Sequence, residues 1–497
     1  MHRSLKVPEI VAMIAKCLSQ PPDSVYTGVY YEDEQRDEQR DEQSDESEDN
    51  SYLYEEPCLD ALWGCMPSAR PLFNSVLLTS TEDGVMNLDR FNYYAPRVKG
   101  LKVKRGDIGI RFMRAHSIQF STRAKYLLPN LRYLDWSDYD DTPLSHIPLL
   151  AGPKVTCLRM PITAWPKHCE QSLNFLFSSI REAYPRLEDV DVRLQRPRGD
   201  ADWQLALLCS VFSTITSVKF SSKPSPNTLT RLSKMPNLRA LEGRHSKARR
   251  DTASPLDFPS LQHLHWMVHS FNDAASFLRC LHSTGRPREY KTLTFEYDNC
   301  DLIPAELKPF LDTLLTTCST QTLSSLTLQA NGMATLEKLG KRTSVCGIAS
   351  VHLRRLFQLS HIEVLRIGSL PIELDDAFIA AAATTWPRLR VLHLHSRVPF
   401  ECMLTPMGLL PLARQCRQLE DLDVDIGSWP DPVPSLAHGS ADTGRRGFPL
   451  SVSIRHSVFG DTGVDEDEVQ RAARLQLMRE IFPDAGIDYE FEKCIRW

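Results

Sequence analysis

One spacing limits what this chain can fold into. The pattern apolar-x-x-apolar-x-apolar recurs at Val98/Leu101/Val103, Leu131/Leu134/Trp136, Val155/Leu158/Met160 and Leu187/Val190/Val192. It continues at Ile215/Val218/Phe220, Leu238/Leu241, Leu261/Leu264/Trp266 and Tyr290/Leu293/Phe295. The last members are Leu323/Leu326/Leu328, Ile362/Leu365/Ile367, Leu389/Leu392/Leu394 and Leu419/Leu422/Val424. From residue 98 to residue 419 the mean interval is about 29 residues, a period that marks stacked structural repeats. Within each unit the final alternation predicts a short strand with one apolar face.

Several units open on a shared phrase: LPNLRYLDW, YPRLEDVDV, MPNLRALEG, FPSLQHLHW and WPRLRVLHL. The Pro before each strand ends the preceding helix, because its ring clashes with a helical backbone. Helical stretches lie between the strands: 171–184, 202–213, 272–283, 304–318 and 375–386, with Asn272 and Asp375 as expected N-caps. Strand–helix alternation with a fixed connection hand builds a parallel sheet along one side of a solenoid. The fold class is therefore α/β, a leucine-rich-repeat solenoid with a curved parallel sheet and outer helices, over residues 81–427. An ordinary doubly wound domain predicts a glycine-rich phosphate loop, and the chain carries none. The Pro- and Gly-rich stretch 428–449 reads as a loop, and 450–497 as a C-terminal capping element.

Charge is distributed unevenly. The 497 residues hold 58 Lys+Arg and 63 Asp+Glu, a net charge of −5. Residues 32–56 alone hold 13 Asp+Glu against two Arg, a local −11, so the remainder carries −5 − (−11) = +6. Asp-Glu-Gln repeats there at 33–35, 37–39 and 41–43, a composition too charged and too poor in apolar side chains to fold. The region of about 21–56 is thus read as a disordered acidic insertion. No apolar run approaches the ~18 residues of a membrane span, and Lys6, Glu9 and Lys16 break any signal-peptide core. The 13 cysteines show no C-x-x-C spacing, which argues for reduced thiols and a cytoplasmic or nuclear setting.

The insertion interrupts a small helical module, residues 1–80. Leu5, Val7, Ile10, Ile14 and Leu18 recur at helical spacing, with Pro8 and Glu9 suited to the first turn. CLDALWGCMPSARPLFNSVLL (58–78) reads as two short helices split near Pro67. These segments resemble the F-box of fungal F-box/leucine-rich-repeat proteins. Leu5-Lys6-Val7-Pro8-Glu9-Ile10 is similar to its opening helix and CLDALWGCMPSARPLF to its second half. RFNYYAPRVKGLKV (90–103) resembles the segment that joins such an F-box to its repeats. The resemblance implies docking onto a Skp-type adaptor of a cullin ubiquitin ligase, through Val7, Pro8, Glu9, Ile10, Ile14, Leu62 and Trp63. Val7 stands where the common motif has Leu, and the acidic insertion falls between the first and second helices. The resemblance further implies a substrate-recognition subunit that is not an enzyme and binds no cofactor. The other reading is a protein-interaction scaffold with a degenerate F-box and no ligase role.

Target-binding residues follow from strand alternation. The flanks of each central apolar residue point to the concave face. Those flanks are Lys102 and Lys104, Tyr133 and Asp135, Asp189 and Asp191 with Arg193, then Lys219. His263 and His265, Arg366, His393 and His395, and Asp421 and Asp423 with Asp425 complete the face. The face is expected to run from basic through mixed to acidic, which suits a protein partner better than a polyanion. Asp421, Asp423 and Asp425 begin like a calcium loop, but Ile426 stands where that loop needs Gly. His263, His265 and His269 lack a nearby Cys or carboxylate to complete a zinc set. No metal site is expected, and nucleic acid and membrane are not the expected partners.

Overall fold

The computed structural model describes residues 65–66, 92, 95–103, 126–136, 147–162, 170–194, 202–220, 223–244, 256–282, 285–297, 304–330, 348–368, 370, 372–395, 402–427, 429–430, 432–434, 450–459, 468–483 and 485–494. The chain divides into two compact units, residues 1–160 with 178–187 and residues 161–177 with 188–497. The seven expected adaptor contacts, Lys104 and most of the acidic insertion's neighbourhood lie outside the described residues.

In the first unit, β1 (Cys65–Met66), β2 (Gly100–Val103), β3 (Tyr133–Trp136) and β4 (Cys157–Ile162) follow one another in parallel. The register stacks Met66, Leu101, Leu134 and Leu158 in one column, with the three leucines fully buried. β1 lies at the expected break between two short helices. Met66 precedes Pro67, and the proline ring disfavours a helical backbone at the residue before it. The buried Tyr184 hydroxyl donates to the Ile147 carbonyl in the same unit.

The second unit carries β5 (Asp189–Leu194), β6 (Ile215–Phe220), β7 (Ala240–Arg244), β8 (His263–Val268), β9 (Thr292–Tyr297) and β10 (Ser325–Ala330). It continues with the short β11 (Ile348–Ala349), β12 (Val364–Gly368), the short β13 (Ile372–Glu373), β14 (Val391–His395) and β15 (Asp421–Ile426). Each main strand pairs in parallel with the next, while β11 and β13 form a separate pair. Every periodic unit of the sequence thus supplies a strand. The central column runs Leu241, Leu264, Leu293, Leu326, Leu365, Leu392 and Leu422 in register. This stacking is the source of stability, because no single repeat can cover its own apolar face.

The repeat alignment slips once. Between β5 and β6, Val190 pairs with Ile215 but Asp191 with Ser217, so Thr216 is an extra residue. Val218 then stands beside Val192, not Val190 as the bare pattern suggests. The bulge absorbs the odd residue, so apolar side chains stay on the core face.

The helices fall close to their expected places, at Glu170–Ala183, Asp202–Val211, Phe271–Leu281, Pro304–Thr317 and Asp376–Thr385. A further one, Pro226–Leu232, is capped by Ser225, whose side chain accepts from the Thr228 amide. Asp375 is the N-cap expected of it and accepts from the Phe378 amide at 2.6 Å. Asn272 is not a cap. Ser270 takes that role by accepting from the Asp273 amide at 3.1 Å, so the helix begins earlier. The backbone N–H of Asn272 instead donates to Glu306 Oε2 on the next helix at 3.3 Å.

The shared phrase also has a physical reason. Asn130 Nδ2 donates to the Pro96 carbonyl at 2.7 Å, and Asn237 Nδ2 to the Ser213 carbonyl at 3.1 Å. Ser260 Oγ donates to the Pro236 carbonyl at 2.5 Å. In these three phrases the residue after Pro therefore reaches back one repeat and satisfies a carbonyl at the preceding turn. After residue 449, β16 (Leu450–Phe459) and β17 (Ala485–Cys494) flank the helix Glu468–Ile481 and pair in parallel after β15. Residues 450–494 thus continue the sheet in register, with Val452, Ile454, Leu477, Met478 and Ile481 buried.

Candidate functional site

The strands sort their side chains into two sets. Apolar members are buried against the helices, and the residues between them lie on the opposite, open face. The candidate site is that open face.

In the first unit, Lys102, Asp135 and Arg159 stand in one row. Lys102 and Tyr133 are half-exposed. Asp135 departs from its expected role, because at 3% exposure it is not presented to a partner. The Arg159 guanidinium lies 5.6 Å from the Tyr133 ring centroid, a cation–π distance.

The second unit opens with Asp189, exposed, which accepts from Thr216 Oγ1, and Asp191, which accepts from Ser217 Oγ at 3.4 Å. A chain of charges then crosses β6 to β9. Lys219 Nζ lies 2.7 Å from Glu242 Oε1, and His265 Nδ1 lies 3.5 Å from the same oxygen. On its other side, His265 Nε2 lies 2.7 Å from Glu296 Oε1. Burial works against a charged His265, but the hydrogen bonds and charges of Glu242 and Glu296 outweigh it and push the pKa up to about 9. Burial also opposes a charged Glu242, yet His265 and then Lys219 hold its carboxyl below the usual range. His265 is therefore a cation clamped between two carboxylates at neutral pH. His263 is exposed, with Nδ1 3.2 Å from Thr292 Oγ1. Burial and then the Lys291 charge pull its pKa below the ordinary histidine value.

A second cluster spans β12 to β15. His393 Nε2 lies 2.6 Å from Asp421 Oδ2, and His395 Nδ1 lies 3.0 Å from Asp423 Oδ2. Asp423 is 8% exposed, so the expected free acidic end is only partly presented, and its acids are engaged by histidines of the neighbouring strand. Arg366 is half-buried, and that burial, partly offset by Asp421, holds its pKa below the ordinary arginine value.

Glu242 and Glu296 were not among the expected site residues. Glu242 escapes the pattern because its unit lacks a third apolar member, and Glu296 lies one step beyond the central flanks. Strict alternation along both strands marks each of them as facing the open side. Among the described residues, no group of three or more His, Cys, Asp or Glu could hold a metal ion. Among the same residues, no helix is long and apolar enough to cross a membrane. What the face offers chemically is hydrogen-bonding and charged groups at strand spacing, roughly 4.8 Å apart.

No protein-family model matches the chain, and no curated protein matches it. Among solved structures it is similar to the leucine-rich repeat-containing protein LegL7 from Legionella pneumophila. That similarity has 11% identity and a TM-score of 0.28, and covers 68% of this chain and 83% of the other. The leucine-rich-repeat solenoid rests instead on the chain's own parallel strands, taken in sequence order with their leucine columns in register.

Proposed function

We propose that this chain is a non-enzymatic, protein-binding subunit. The observation that carries protein binding is the open face of the second unit, where polar and charged side chains stand in register across successive strands. Such a face reads a partner by matched charges and hydrogen bonds. In the finer reading, the chain is the substrate-recognition subunit of a Skp–cullin–F-box ubiquitin ligase, acting in the cytoplasm or nucleus. The resemblance of residues 4–104 to fungal F-box segments supports it. The module would bind the adaptor and the repeats the target. Its contribution to catalysis would be proximity, holding a target lysine near the ubiquitin-carrying enzyme.

The second reading, a scaffold with a degenerate F-box, is favoured by the acidic insertion between the module's first two helices. Co-expression with a Skp-type adaptor separates the two. The ligase reading predicts a co-purifying complex that is lost in Pro8→Ala/Glu9→Ala and in Trp63→Ala. Absence of a complex with the unaltered chain leaves the scaffold. A complex indifferent to these substitutions refutes the contact assignment.

A further inference from the structure

Some basic groups of the second unit hold acids directly. Lys219 has Glu242 at 2.7 Å, and Arg390 holds Glu420 through two contacts of 3.0 Å. Arg366 differs. It sits on β12 between Thr327 of β10 and His393 of β14, in register with both. His393 is engaged with Asp421, and His395 with Asp423. Among the described residues, no hydrogen bond or ion pair reaches the Arg366 side chain. Its guanidinium is half-buried, the Asp421 charge reaches it without a direct contact, and its five donors stay available to a ligand. The adjoining open-face position is Gly368, and a Cβ there would stand 3.2 Å from the His395 ring. The His395 ring thus covers Gly368 and walls one side of the Arg366 neighbourhood.

We propose that Arg366 anchors one carboxylate of a protein partner, an Asp or Glu side chain lying across β10 to β14. The proposal rests on the reading of the open face as a protein-binding surface. The planar fork of Arg matches a carboxylate through two parallel hydrogen bonds, and the Thr327 hydroxyl in the same row can add a third. The charge of the ligand follows from the neighbours. Asp421 and Asp423 stand on the strand beyond His393, so a single negative charge is tolerated where a dianionic phosphate is repelled.

The test uses the full chain and three blocked hexapeptides: a Gln peptide with one central Glu, an all-Gln peptide, and a Gln peptide with one phosphoserine. Calorimetry with the unaltered chain is expected to show millimolar binding of the single-Glu peptide and none of the all-Gln peptide. Arg366→Met should weaken the single-Glu affinity about tenfold, and Arg366→Lys, which keeps the charge but loses the fork, should fall between. Because no hydrogen bond or direct ion pair holds the side chain, Arg366→Met should melt at or above the temperature of the unaltered chain. Equal single-Glu binding by Arg366→Met, no single-Glu binding at all, tighter phosphoserine binding, or a marked loss of melting temperature would each overturn the proposal. Adaptor co-purification is independent of Arg366. Its failure would remove the ligase reading while leaving this site, and the reverse result would do the opposite.

Discussion

Two residues show how much a single side chain decides here. The unit Leu238/Leu241 lacks a third apolar member because Gly243 occupies that place. A Cβ on Gly243 would stand 2.6 Å from the Trp266 ring of the next strand, and Trp266 itself stacks on Phe277 at 4.3 Å. The indole fills the space that a side chain on β7 would need. Gly243→Ala should therefore destabilise the chain by about 1–3 kcal/mol through overpacking, read as a lower urea midpoint at unchanged slope. His265 governs a pH dependence. Its pKa is raised in the folded chain from 6.5 to about 9. The stabilisation is present in full below the unfolded pKa and disappears as pH rises through the folded one. Thermal melts of the unaltered chain and of His265→Gln should differ most near pH 6 and converge above about pH 9. A difference that grows with pH would contradict the clamp.

At the scale of elements, the helix starts separate what pattern can and cannot reveal. Asp375 is both a cap and the acceptor of the Ser350 hydroxyl at 2.6 Å. It stands directly before an apolar run, so its place was legible. Ser270 was not, because Ser270 and Asn272 are both good caps and Phe271 between them fits a loop or a helix equally well. Phe271 resolves the matter by burial, against Tyr297 and Phe310 at 4.8 and 5.5 Å. Ser270→Ala is expected to cost about 1 kcal/mol and Asn272→Ala less than about 0.5 kcal/mol in urea unfolding. The reverse order would restore Asn272 as the cap. The slip between β5 and β6 belongs to this scale too. The pattern treats Ile215 as the opening apolar member of its unit, but its register partner is the central Val190. Only pairing geometry distinguishes the two assignments.

Across the whole molecule, stability is a sum over neighbouring repeats, so the ends matter as much as the middle. β16 and β17 bury Val452 and Ile454 in the same columns as β15. Ending the chain at residue 449 should therefore lower the urea midpoint and slope and promote dye binding to exposed apolar surface. An unchanged midpoint would make this segment an appendage. The period, the strands and the polar face were readable from residue order, because stacked repeats force the same apolar spacing on every unit and leave the residues between them on the open side. Which of those open-face residues pair with one another was not readable. The partners of Lys219, His265 and His393 lie one repeat away in sequence, at separations set by helices and loops of unequal length. Register alone brought Glu242 and Glu296 to either side of His265 and left Arg366 without a direct ion pair. Charge pairing depends on distances of a few ångströms, and those exist only once the strands are stacked.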